Sequence, residues 1–321
     1  MRKKFNFFSV NVESTVFIGS AAVFVFIFLS ALKAVYVSSY VQSIDPIYLV
    51  CLTFIISAIY FQVHCLVTKN YKRIGSYHIL VNILALNFTT MLSWLFFYQA
   101  LKYIEPSIVA CLVTSIGPLS TIIIDKILRS NSNYNPGSLA IGVAIGAAQF
   151  FMIAGVVVGS TGENIANVSN VTLAGAITGA VISGVGIATN TVYTKRLYDE
   201  GWTPSQVMSH RFYLLILVSG IYSISNSSIE LNSLASSFGP VLFISLALVC
   251  FPLFILQYGI KLISPLSVAV IVSTGPALTY CLQFFSPNSH SSNWALAGVI
   301  MTTVCVVYKI LNDFRQKRVG A

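Results

Sequence analysis

The 321-residue chain is a succession of apolar runs, each about as long as a bilayer is thick. The first reads "STVFIGSAAVFVFIFLSALKAVYVSSY", from Ser14 to Tyr40. A helix that crosses a membrane needs about 20 apolar residues in a row. Ten stretches qualify: 14–40, 46–67, 77–102, 106–128, 137–159, 171–194, 204–225, 235–259, 264–286 and 293–311. The breaks between them hold the polar residues and turn formers, as in "TKNYKRIGS" and "RSNSNYNPGS". Only 8% of the residues are charged, whereas a soluble domain carries about 25%. With no water in the hydrocarbon, each backbone polar group needs an internal partner, and helices provide one. The expected fold is therefore an all-α integral membrane protein of ten transmembrane helices. The run after Arg2-Lys3-Lys4 is too long for a signal peptide and has no cleavage-site pattern, so it is the first span.

A net charge of +9 would suggest nucleic acid in a soluble protein. Here its distribution along the chain gives orientation instead. With the N-terminus inside, 15 Lys and Arg fall in inner segments and one, Lys102, in an outer connection. Cytoplasmic loops collect basic residues. The split therefore predicts ten spans with both termini cytoplasmic, the lipid bilayer as partner and no nucleic-acid partner. The six cysteines show no CxxC spacing and sit in or beside apolar runs. They read as small apolar residues, and neither a metal nor another cofactor is expected.

Two stretches share one device. "LVTSIGPLSTIII" carries Gly117–Pro118 inside the fourth run, and "VIVSTGPALTYCL" carries Gly275–Pro276 inside the ninth, 158 residues later. At the same offset Pro46 matches Pro204, Phe54 matches Phe212, Gln99 matches Gln257 and Ser115 matches Ser273. Gln99 precedes Gly117 by 18 residues, as Gln257 precedes Gly275. Five spans per half is an odd number, so the halves face opposite ways across the membrane. The chain reads as two inverted five-helix repeats, 1–160 and 161–321, within one membrane domain. Such repeats are built around a solute site at their meeting point. Proline removes a helical hydrogen bond and clashes with the carbonyl four residues back. Gly117, Pro118, Gly275 and Pro276 are therefore expected to open the helix and serve as gating elements. The neighbouring hydroxyls Thr114, Ser115, Ser273 and Thr274 can take up the freed carbonyls.

Lys33 lies 20 residues into a 27-residue run, in the outer half of the first span. About seven residues separate it from the end, roughly 10 Å at 1.5 Å per residue, a long reach for a snorkelling lysine. It is expected to face the bundle interior. Arg211, seven residues past Pro204, is either an interface anchor or a buried cation. Asn87, Trp94, Tyr98, Gln99, Gln257, Tyr258, Tyr280 and Gln283 add amides and aromatic rings within spans, the materials of a small-molecule pocket or of helix-to-helix adhesion. None of the nine acids falls at mid-span, and the four histidines lie near span ends. Proton pumps need such relays, so facilitated transport or exchange is expected. No HExxH, no GxSxG and no paired intramembrane carboxylates are present, which leaves a membrane-embedded enzyme without catalytic groups.

"FFYQALKYIEPSIVACLVTSIGPLSTIII" and its second copy "FILQYGIKLISPLSVAVIVSTGPALTYCL" resemble the third–fourth and eighth–ninth helices of the drug/metabolite transporter superfamily, in its ten-helix EamA-type branch. "TNTVYTKRLYDEGWTPSQVMSHRF" is similar to the opening of that family's second repeat, including its Arg-Phe pair at Arg211-Phe212. The likeness covers about residues 14–311. It implies a cavity walled by helices 1, 3, 4, 6, 8 and 9, with 5 and 10 outside. It brings forward Lys33, Trp94, Tyr98, Gln99, Asn190, Tyr193, Gln257 and Tyr280 as substrate-binding residues. The expected function is a secondary transporter that exports or exchanges a small carboxylated or zwitterionic metabolite, such as an amino acid, by alternating access. A fixed cation in a low-dielectric site favours an anionic group. The alternative is an exchanger of nucleotide- or sugar-phosphate-type metabolites, whose phosphates call for more than one basic group. The triplets at Asn167, Asn170 and Asn226 match glycosylation acceptors, yet such triplets are common by chance, and a bacterial inner membrane is the expected location.

Overall fold

A computed structural model describes residues 12–41, 44–128, 136–159, 169–226 and 238–283, with isolated positions between 285 and 308. Every regular element among the described residues is helical. In chain order these are α1 (Val12–Tyr40), α2 (Pro46–Val67), α3 (Tyr77–Tyr103), α4 (Pro106–Ser115), α5 (Gly117–Leu128) and α6 (Pro136–Gly159). There follow α7 (Asn170–Asp199), α8 (Pro204–Ser209), α9 (Tyr213–Ser225), α10 (Phe238–Leu262), α11 (Pro265–Val272) and α12 (Gly275–Gln283). Taken across their internal breaks, they make eight stretches long and apolar enough to cross a membrane, and α6 adds a further helix of 24 residues. The chain is thus a multi-pass membrane protein. The expected tenth span, 293–311, and the repeat boundary at 160/161 fall outside the described residues, apart from scattered helical positions between 297 and 308.

Span starts follow from proline and caps. Pro46, Pro106, Pro136, Pro204 and Pro265 each open a helix, where the missing N–H costs nothing and the fixed φ is already helical. Asp45 Oδ1 accepts from the N–H groups of Ile47 and Tyr48 at 2.9 and 3.2 Å. Thr203 and Gln206 form a reciprocal capping box on α8.

Four interruptions shape the bundle. The fourth span breaks at Ile116, just before Gly117–Pro118, and the ninth at Ser273–Thr274, just before Gly275–Pro276. Beside the first break, Thr114 Oγ1 donates to Ala110 O at 2.8 Å and Ser115 Oγ to Leu112 O at 2.9 Å. Beside the second, Ser273 Oγ donates to Ala269 O at 2.9 Å and Thr274 Oγ1 to Ile271 O at 2.8 Å. The hydroxyls take carbonyls of the turn before each break, and not those of Thr114 and Val272, which lie four residues before the two prolines. In α10 a π-helical turn, Ile244–Cys250, precedes Pro252, and the Phe251 N–H reaches five residues back to Leu246 O. The wider turn makes room for a residue that has no N–H to give Leu248. The seventh span opens at His210–Phe212. Side-chain amides from other helices fill that gap. Gln62 Nε2 donates to Ser209 O at 2.6 Å, Asn87 Nδ2 donates to His210 O at 2.7 Å, and the Leu214 N–H donates to Asn87 Oδ1 at 3.3 Å.

Early and late helices interleave, with the most extensive contact between α3 and α7 and the next between α1 and α10. Small residues permit the first. A methyl on Gly186 would sit 2.5 Å from Ser93 Oγ, and one on Gly179 would sit 2.9 Å from Phe96 Cδ1. Ser183 Oγ uses that closeness to donate to Ser93 O at 2.7 Å. Large apolar side chains such as Phe17, Ile59, Leu84 and Ile221 point outward, where a bilayer covers them.

Candidate functional site

The helix arrangement leaves a cavity of about 120 Å³, enough for several waters. Its wall comes from α1, α3, α4, α7, α10, α11 and α12, plus one residue of the break in the seventh span. Counted as spans these are the first, third, fourth, sixth, eighth and ninth, as the resemblance implies, joined by Arg211 from the seventh.

Lys33 is 4% exposed and faces the cavity. Its ammonium lies 4.3 Å from the centre of the Trp94 ring and 5.4 Å from that of Phe97. A desolvated cation on an aromatic face gains about 2 kcal/mol, which keeps the charge tolerable without a carboxylate. Ser30 stands one helical turn before Lys33 on the same wall, and its buried hydroxyl has no partner among the described residues.

Arg211 is 5% exposed and also lines the cavity. Its Nε donates to Thr90 Oγ1 at 3.0 Å. Thr89 Oγ1 donates to Ala85 O at 2.8 Å, so towards Asn190 it acts as an acceptor. Asn190 therefore turns its amide nitrogen to Thr89 (2.8 Å) and its oxygen to Arg211 Nη2 (3.2 Å). The guanidinium is held by two helices, α3 and α7. Thr194 lies one turn beyond Asn190 on the same wall, with a buried hydroxyl that has no partner among the described residues.

Of the residues the sequence brings forward, Lys33, Trp94, Asn190 and Gly275 meet at this cavity. The others lie elsewhere. Tyr98 is fully buried beside Trp94 and Phe97, with ring centres 6.0 and 5.9 Å away, and packs behind the wall. Gln99 is half-buried and off the wall. Gln257 is fully buried and accepts from the Tyr198 hydroxyl, joining α10 to α7. Tyr193 is half-buried with the Arg196 guanidinium 5.9 Å from its ring. Tyr280 is buried off the wall, as are Pro118 and Pro276; Gly117 is off it too. Asn87 fastens the seventh-span break. Arg211, Thr194 and Ser30 were missing from the expected site. The available signals were a basic residue inside an apolar run and hydroxyls one turn from Lys33 and Asn190. Asp125, three residues from the end of α5, is also buried, although it does not line the cavity. No Asp or Glu is on the described cavity wall.

A ring of membrane helices around a largely apolar cavity that holds a few polar side chains, with broken helices at its edge, defines a transporter-like membrane protein. The model of the EamA-like transporter family matches the chain twice, over residues 17–154 and 174–309, and the chain belongs to that family. It is a family of membrane transporters of small molecules, not of enzymes. A solved structure titled only as a crystal structure of a protein has the same fold, with a TM-score of 0.66. It is 18% identical, and the match covers 93% of this chain and 96% of that one. No curated protein matches.

Proposed function

We propose that this protein is a secondary transporter that exports or exchanges a small carboxylated or zwitterionic metabolite, such as an amino acid, by alternating access. The observation that carries the reading is the cavity: a buried lysine on an aromatic face, with no acid on the described wall. In a low-dielectric enclosure such a cation attracts a carboxylate and repels a lone cation. The proposed frame is ten spans in two inverted five-helix repeats, 1–160 and 161–321, with both ends cytoplasmic in a bacterial inner membrane. Two family matches, one in each half, support that division. So do Gly-Pro breaks 158 residues apart, at Gly117–Pro118 and Gly275–Pro276. The cavity wall offers no carboxylate for a proton relay, which favours facilitated transport or exchange. A phosphorylated metabolite is the second reading, and Arg211 on the same wall is the observation in its favour.

Counterflow into proteoliposomes tests both, with amino acids, organic acids, sugar phosphates and nucleotide derivatives as solutes, on the parent and on Lys33→Gln. Glutamine keeps a polar side chain and removes the charge. Uptake of anionic or zwitterionic solutes is expected to fall at least about tenfold in the variant, the equivalent of roughly 1.4 kcal/mol. Normal transport by Lys33→Gln would sink the substrate argument.

A further inference from the structure

Two cations share one enclosed cavity, and no carboxylate on its described wall answers either of them. Lys33 rests against the Trp94 ring, but its ammonium meets no hydrogen-bond acceptor among the described residues. A guanidinium has five N–H donors. Arg211 gives one to Thr90 and one to Asn190. The others find no acceptor among the described residues. Two residues of the wall, Thr194 and Ser30, also carry buried hydroxyls with no partner among the described residues. Buried polar groups in native proteins are nearly always paired, so an unanswered set on one small cavity wall marks where a ligand belongs.

We infer that the transported solute is an organic dianion, with one anionic group at Lys33 and the other at Arg211. The inference rests on the reading of this cavity as the transport site. A monoanion answers one cation and leaves the other buried and uncompensated, the costly half of a broken ion pair. A zwitterion is worse placed. Its ammonium would be a third cation in a chamber whose described wall has no acid, and the face of Trp94 already holds Lys33. A dianion neutralises both charges at once. Its oxygens also supply acceptors for the remaining Arg211 donors. Asn190 and Thr90 fix the guanidinium plane, which suits the planar or forked oxygens of a carboxylate or phosphate. A dicarboxylate and a phosphomonoester of a carboxylic acid share this chemistry. Lys33 comes from the first span and Arg211 from the seventh, so the bridging solute also ties together two distant parts of the chain.

The test is binding to purified full-length protein in nanodiscs, using matched pairs that differ by one anionic group: succinate against succinamate, glutamate against glutamine, and 3-phosphoglycerate against glycerate. For at least one pair the parent is expected to bind the more highly charged member at least about tenfold more tightly. The preferred pair tells a dicarboxylate from a phosphate ester. Arg211→Gln is expected to bring that pair level, and Arg211→Lys to retain a preference. Lys33→Gln should weaken both members. Size-exclusion profiles and melting curves of the variants verify folding, and the Arg211→Lys arm reports on charge where Arg211→Gln unfolds. Equal binding within every pair, or a dianion preference that survives in folded Arg211→Gln, overturns the dianion site and leaves the Lys33 anion reading standing. Binding of lone cations, with no anion or zwitterion bound at all, overturns both.

Discussion

At the scale of single residues, the cavity shows how a charge can be kept in an apolar place. Lys33 has no acidic partner on the described cavity wall and sits instead on the face of Trp94, 4.3 Å from the ring centre. The ring supports the ammonium from one side and leaves its cavity side for a solute. Weakening that support should therefore weaken solute binding, even though Trp94 carries no charge. Affinity is expected to fall from the parent through Trp94→Phe to Trp94→Leu, by up to about 2 kcal/mol for the last, or roughly thirtyfold. Titration of the preferred anion against each variant measures it. Equal affinity across the series would mean that the ring is packing alone. Lys33 was legible in the sequence because a charge inside an apolar run is costly unless it has an interior use; Trp94 was legible as an aromatic ring among polar groups within a span, and Asn190 through the family likeness alone. The direction in which each side chain points was not. Tyr98 lies one turn beyond Trp94 and Gln99 one residue further, yet both leave the wall to Ser93, Trp94 and Phe97. A helix that is apolar nearly all round carries no face signal of its own, and only its neighbours decide which stripe meets the cavity.

At the scale of elements, the described spans were read to within five residues from apolar run length and from proline and turn positions, since a bilayer permits few other arrangements. The Gly-Pro breaks were legible for the same reason. Two interruptions were not. The π turn before Pro252 and the opening at His210–Phe212 depend on what fills them, and the amides that fill the second come from Gln62 and Asn87, more than 100 residues earlier. That opening also places Arg211 in the cavity, which is why the sequence left its role undecided. The paired Gly-Pro breaks carry an expectation of their own. Alanine at 118 or 276 regains the N–H that proline lacks and favours an unbroken helix, by about 3 kcal/mol for an interior position. Pro118→Ala and Pro276→Ala should slow counterflow while leaving protein levels and equilibrium solute binding nearly unchanged, because straightening a helix removes a conformational option and no ligand contact. Transport at the parental rate in both variants would reduce the breaks to packing features.

At the scale of the whole molecule, the distribution of charge and the direction of each span make one argument. Lys69, Lys72 and Arg73 fall between α2 and α3, and Lys126 and Arg129 come at the end of α5 and just after it. Lys195 and Arg196 fall in the last turns of α7. Each of these places lies on the inner side if the chain enters from the cytoplasm and crosses at every span. The α2–α3 connection is further tied to the start of the seventh span. Asn70 Nδ2 donates to Thr203 Oγ1 at 3.0 Å, and Gln206 Nε2 donates to Asn70 O at 3.0 Å. The two segments must share a face of the membrane, and an even number of intervening crossings delivers that: the third to sixth spans. Sidedness can be read with single cysteines in a version in which Cys51, Cys65, Cys111, Cys250, Cys281 and Cys305 are replaced. Arg73 is the better inner position, since it is exposed while Asn70 is held by Thr203 and Gln206. A cysteine at Asn167 is expected to react with an impermeant thiol reagent in intact cells. One at Arg73 should stay unlabelled there and react only in inverted vesicles. Equal labelling of the two in intact cells would break the alternation, and with it the ten-span frame and the inverted repeat.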